Sequence, residues 1–298
     1  IDNFKRFHPN PDEVQCSNPE SEPDFIKPYF GLRLFPVWHI GTDYLHQIGK
    51  NWYDYLVEKG VDFMWEHQVF DIDFKDNFVT YINNKGGTIT EQIIYDKLIF
   101  GVGKSGIDFT KNLSEQYELP TESKPVQIGV RFEAPQKHFQ KLIDISYDFK
   151  LYKKFDNVSL RSFCTNNNAA YVAVEETYGD HSYNGHAKKD IKYENGMTNF
   201  GILMEIRGID NPFDWSREAV KKMQCNGTGT FYSPSKRIPS ATSEGNLVRC
   251  VVVDSMEPLF DALGEENAQY IEDFITEMAI VFPTLKDDWG IYMPEVKY

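Results

Sequence analysis

Cysteine is scarce in this chain. Its 298 residues contain four: Cys16, Cys164, Cys225 and Cys250. No two of them form a C-x-x-C pair, so the spacing encodes neither a zinc knuckle nor a dense disulfide framework. Four free thiols in a reducing cytoplasm are the expectation. No run of about 18 apolar residues occurs, so no bilayer-crossing helix is predicted, and there is no secretory signal pattern. Positive charge is also short. There are 31 Lys and Arg against 45 Asp and Glu, a net charge of −14. Such a surface repels phosphate backbones, which excludes nucleic acid as the main partner. A G-x-S-x-G elbow and an H-E-x-x-H helix are both missing, which removes the common signatures of a serine hydrolase and a zinc protease. No metal is expected.

What is present is a core. The composition is 41% hydrophobic and 15% aromatic, which excludes wholesale disorder. At about 100–200 residues per domain, the length allows one large domain or two medium ones. Thr42 and Asp43 cap a predicted helix that carries Leu45, Ile48, Trp52, Tyr55 and Leu56 on one face and stops at Gly60. Strands are predicted over residues 61–65, 67–74, 78–82 and 88–94, with a hairpin turn at 83–87. Residues 95–102, YDKLIFGV, read as one more strand, apolar in its second half and buried. Further on, helices are predicted over 109–117, 136–145, 217–224 and 269–282, and strands over 126–132, 159–164, 170–175, 200–206 and 247–253. The class is mixed α and β, with a boundary near residues 110–125.

Three clusters carry chemistry. Gly101, Gly103 and Gly106 match G-x-G-x-x-G after a predicted strand, the setting of a dinucleotide fingerprint. The helix after them is weakly amphipathic, and the next strand's acid, Glu133, comes late. A strand exit is therefore the alternative reading. Residues 178–186 hold His181 and His186 with Asp180; a polar loop with surface histidines is the favoured reading over a metal site or an acid–base pair. Arg131 lies in an apolar strand and needs a partner there, because an unpaired buried charge is expensive. That partner is either a structural carboxylate or an anionic ligand.

The order of several segments resembles that of uncharacterised FAD-dependent dehydrogenases within the glutathione-reductase-like flavoproteins. The segments are HIGTDYL at residues 39–45, HQVFDI at 67–72, YDKLIFGVG at 95–103, KPVQIGVRFE at 124–133, SFC at 162–164, YNG at 183–185 and TN at 198–199. The resemblance implies a partial FAD-binding domain of the two-dinucleotide-fold type, a helix plus β-hairpin insert, over residues 1–115 and 286–298. It also implies a β-sheet-rich substrate-binding domain over 116–285. The family's N-terminal glycine-rich FAD motif has no counterpart, so the chain is expected to be the middle portion of such a flavoprotein. The resemblance implies FAD as cofactor, with Val69, Gly101, Val102 and Gly103 beside it. It places Arg131, Asn184 and Asn199 toward a small-molecule substrate or the flavin ring. No catalytic acid or base is identified. The alternatives are a non-catalytic ligand-binding module, or an NAD(P)-binding Rossmann protein using residues 101–106.

Overall fold

The computed structural model describes residues 2–17, 23–34, 36–83, 89–122, 124–155, 157–177, 179–242 and 244–297. In chain order the chain forms α1 (Asp2–Phe7), β1 (Gln15–Ser17), β2 (Gly31–Leu34), β3 (Val37–His39) and α2 (Leu45–Glu58). There follow β4 (His67–Asp73), β5 (Phe78–Asn83), β6 (Ile89–Ile94), α3 (Ile107–Gln116), β7 (Val126–Pro135) and α4 (Gln140–Ile143). Next come β8 (Phe149–Lys154), β9 (Val158–Asn168), β10 (Ala170–Thr177), β11 (Asp180–Ala187), β12 (Met197–Ile206) and α5 (Pro212–Lys222). The last elements are β13 (Gln224–Cys225), β14 (Thr228–Tyr232), β15 (Val251–Val252), α6 (Glu257–Leu263), α7 (Glu265–Val281) and β16 (Gly290–Lys297). The protein is thus mixed α and β, with mostly antiparallel sheets. Among the described residues no helix is long and apolar enough to cross a membrane.

Two compact units exist, residues 1–50 with 124–298, and residues 51–123. These limits differ from the expected 1–115 with 286–298 and 116–285. The reason is pairing: β16 lies between β14 and β7 in the sheet order, so the last segment belongs with residues 126–135.

Among the described residues the larger unit holds a nine-stranded sheet in the order β13-β14-β16-β7-β12-β9-β8-β2, with β15 beside β14. Period-two alternation gives its central strands two different faces. Ile128, Val130, Phe132 and Ala134 of β7 join Phe200, Ile202 and Met204 of β12 and Ile291 and Met293 of β16 in one apolar core. Helices cover that face. Ala268, Ile271, Phe274, Ile275 and Met278 of α7, with Leu259 and Leu263 of α6 and Val220 of α5, complete the same cluster. Their spacing in α7 is the helical apolar stripe predicted from sequence.

The other face carries Gly129, Arg131 and Glu133 on β7, opposite Leu203, Gly201 and Asn199 on β12. Across it lies the β10–β11 ribbon, whose β11 packs against β9, β12, β7, β16 and β14. The polar loop expected at residues 178–186 is therefore a strand from Asp180 on, and Asp180, His181, Ser182 and Tyr183 are buried. Hydrophobic pattern concealed it, because this strand buries polar side chains against a polar sheet face.

The smaller unit is a three-stranded meander, β4-β5-β6, followed by α3. Two expected strands do not form. Residues 61–65 are irregular, with Phe63 stacked on Trp65 at 5.6 Å and set against Tyr53 at 4.7 Å between ring centroids. Residues 95–102 pair with no strand among the described residues, and Ile99 is 95% exposed. An apolar run records what a segment would bury but not whether a strand edge is there to receive it. The hairpin turn expected at 83–87 falls, after Asn83, outside the described residues.

Candidate functional site

The polar sheet face is built by alternation and two bulges. Between Phe163 and Asn166 the register of β9 on β12 slips, and Cys164 there has φ 51°. This bend brings the Cys164 carbonyl to Arg131 Nη2 at 2.8 Å. On β16, Tyr292 faces Arg131 and Glu295 faces Gly129, three residues apart on one strand and two on the other. The extra residue returns Glu295 to the face that Tyr292 occupies, where a regular strand would have turned it to the core.

Arg131 is fully buried. Its Nε donates to Asn199 Oδ1 at 3.0 Å, and Nη1 lies 3.4 Å from each Glu295 oxygen. Asn166 Nδ2 donates to the same Asn199 oxygen at 3.0 Å. Lys297 Nζ reaches Glu295 Oε1 at 3.5 Å. Burial pushes the Glu295 carboxyl up, and Arg131 and Lys297 oppose that. Arg131 thus has a structural carboxylate as partner, and Gly185 of β11 closes over it. Arg131 and Asn199 meet directly. Asn184, next to Gly185, turns its side chain to Glu175 across the ribbon, donating from Nδ2 to Oε1 at 2.5 Å.

Beside this pair sits a residue that sequence reasoning noted only as a late acid. Glu133 is 1% exposed. Its Oε1 accepts from the Tyr292 hydroxyl at 3.3 Å, and its Oε2 has no partner. Burial drives its pKa up to about 7, against the pull of Ser240, Arg237, Tyr292 and Arg131. The phenol of Tyr292 is itself held well above its ordinary range by burial, then by Glu133. Directly opposite Glu133, Asn199 leaves Nδ2 unpartnered. His186 lies half-buried with Nδ1 unpartnered, and burial lowers its pKa. His181 is buried, its Nδ1 unpartnered and its Nε2 3.8 Å from Glu176. The i, i+2 spacing of Arg131 and Glu133 in an alternating strand was the available signal for Glu133. Tyr292 and Glu295 had none, since the bulge in β16 and its pairing with β7 were not readable.

The smaller unit contains a cleft of ≈ 630 Å³, within the usual range for small-molecule sites. Val69, Ile72, Val79, Phe109, Gly101 and Val102 line it. Three of the four residues expected near a cofactor therefore share one cleft. Gly103 is not on its wall; it sits at the N-cap of the turn Lys104–Gly106, with φ 63°. The β4 register slips between Val69 and Asp71, and β4 is an outer strand of its sheet. A Cβ at Gly101 would meet nothing within 4 Å.

The chemistry of these walls fits the adenosine half of FAD, a flat apolar group with polar edges. The apolar side chains suit its faces, and the outer strand at Val69 and the Ser105 hydroxyl suit its edges. Among the described residues the walls carry neither Lys nor Arg, so main-chain N–H groups would have to meet a pyrophosphate there. The strand that a Rossmann fingerprint needs before residues 101–106 does not form, although the helix after them does. No model of a known protein family matches the chain, and no curated protein is detectably similar to it.

Proposed function

We propose that this chain belongs to an FAD-dependent oxidoreductase of the dehydrogenase type. In this reading the cleft of residues 51–123 takes the adenosine part of FAD, and the polar sheet face of the larger unit holds a small-molecule substrate. The observation that carries it is the meeting of Val69, Gly101 and Val102, distant in sequence, around one ligand-sized cleft. Bound FAD would supply the hydride chemistry; the protein supplies position and electrostatics. Val69 and the main chain at Gly101 and Val102 would bind and orient the adenosine. Arg131 acts on the substrate face indirectly, by fixing the Asn199 amide through two donors to its oxygen. Asn199 Nδ2 is then left as a rigid donor for a substrate oxygen.

The test is incubation of the purified chain with FAD, gel filtration, and the absorbance spectrum of the protein peak. Flavin that co-elutes with the protein and is displaced by ADP is the expected result. A colourless peak sinks the reading and favours a ligand-binding module without flavin. Calorimetric binding of NAD or NADP with no FAD binding would favour the Rossmann alternative.

A further inference from the structure

We propose that Glu133 is an acid–base residue that exchanges a proton at Oε2 with a carbonyl or hydroxyl oxygen of the ligand, fed through Tyr292 and Ser240. This deepens the reading above, on which the polar sheet face holds the substrate, and names the chemistry of that substrate's reacting group.

The geometry has an inner end, a path and an outer end. At the inner end, Glu133 Oε2 and Asn199 Nδ2 are both buried and both unpartnered. Their residues are directly opposed on β7 and β12, which sets the Cβ atoms about 5 Å apart. A buried donor and a buried carboxyl oxygen left unmade are costly, so together they mark a place for a polar atom. The path begins at Oε1. The Tyr292 hydroxyl lies 3.3 Å from it and 3.2 Å from Ser240 Oγ, and the Ser240 N–H donates to the Tyr292 oxygen at 2.7 Å. One hydroxyl proton shared between two acceptors, on an oxygen pinned by an amide, is a switchable carrier. Ser240 is half-buried and forms the outer end.

The two carboxyl groups on this face differ in their partners. Glu295 has Arg131 and Lys297 within ion-pair distance. No cation reaches Glu133 at that distance among the described residues. The charged and titratable groups that act on it are Arg131 on its own strand, Tyr292 on β16, and Arg237 and Cys250 from the segment after β14. Burial pushes both carboxyls up, but among the described residues only Glu295 has cations at ion-pair distance to hold a charge, which leaves Glu133 as the one placed to carry a proton. The exchange balances by itself. The Oε2–H bond breaks as an O–H bond forms on the ligand oxygen, the electron pair stays on the carboxylate, and Tyr292 and Ser240 restore the proton. In reverse, the carboxylate takes the proton of a hydroxyl.

Infrared spectroscopy of the whole chain tests this. Below about pH 7 the wild type should show the C=O band of a buried protonated acid that Glu133→Gln lacks. In Tyr292→Phe the band should persist while its hydrogen–deuterium exchange slows by about tenfold or more, the effect of removing one hydrogen-bonded carrier. The same proteins are titrated with 4-nitrophenol, whose absorbance separates phenol from phenolate. Wild type and Tyr292→Phe should bind it, and Glu133→Gln about tenfold more weakly. A missing band, exchange untouched in Tyr292→Phe, no nitrophenol binding, or equal binding by Glu133→Gln overturns the proposal. So does a Glu133→Gln protein that fails to fold, since glutamine copies the neutral acid. None of these measurements uses FAD, so failure here and failure of the flavin titration are separate results.

Discussion

Gly185 and Arg131 are packed so closely that a Cβ on the glycine would fall 1.7 Å from the guanidinium Nη2. The same atom would lie 2.1 Å from Asn166 Nδ2 and 2.4 Å from Asn199 Oδ1. All three neighbours are held by hydrogen bonds and cannot swing aside. Gly185→Ala should therefore lift the ribbon from the sheet face. Overpacking of this kind costs about 1–3 kcal/mol, read as a lower urea midpoint. An unchanged midpoint would mean that the ribbon is not seated on Arg131.

Arg131 and Glu295 form a buried pair, so removing one partner strands the other. Arg131→Ala should cost about 3–5 kcal/mol in denaturant unfolding. Arg131→Met combined with Glu295→Leu should recover most of that loss, because an apolar pair replaces an ionic one without leaving a charge behind. If instead Arg131→Ala kept its stability and lost only ligand binding, the guanidinium would be a direct ligand contact.

Acid stability should show two opposed contributions. Glu133 has its pKa raised from 4.5 to about 7. The folded state keeps a proton that the unfolded state releases, so the stabilisation is full below the unfolded value and fades as pH rises through the folded one. The slope is about 1.4 kcal/mol per pH unit at most. His39, whose ring packs on Tyr147 at 3.7 Å, has its pKa lowered from 6.5 to about 4 by burial first. Its contribution is present above the unfolded value and is lost as pH falls. Across the shared window the two slopes oppose each other. Glu133→Gln should leave a stability that rises with pH, and His39→Phe one that falls with it. Urea midpoints across that window decide. Parallel profiles for wild type and Glu133→Gln would place a charged Glu133 in the folded protein.

Most of the framework was legible where burial follows one period. The α7 stripe and the apolar sides of β7 and β12 could be read from spacing alone, because each buries carbon against carbon. On the polar face, burial chemistry pointed to Arg131, strand alternation offered Glu133, and Asn199 was named only through the resemblance. The face is ordered by pairing across the chain: Asn199 by register with Glu133, Glu295 by one extra residue in β16, Gly185 by the ribbon that covers them. Strand β11 was hidden because Asp180, His181 and Ser182 are buried against polar neighbours, which no hydropathy pattern records. Residues 95–102 show the converse: their apolar character predicts a strand, and among the described residues no edge is there to pair with it.

Gly101 and Gly103 of the smaller unit should separate folding from cofactor binding. Gly103 has φ 63° and ψ −161°, a region that only glycine occupies readily. A Cβ there meets no atom within 4 Å, so the penalty of a substitution is backbone strain rather than contact. Gly103→Ala should lower stability by about 1–3 kcal/mol. Gly101 differs on the first count: its φ lies outside the positive region, and the space around it is equally open. Gly101→Val should leave the melting temperature nearly unchanged, within about 0.5 kcal/mol. Its side chain would enter the cleft that Gly101 lines. Flavin affinity, followed by quenching of FAD fluorescence, should then fall by about tenfold or more, as for a ligand that loses a well-packed wall. Flavin binding unaffected by Gly101→Val would take the cofactor out of this cleft, whatever the spectrum of the wild-type protein.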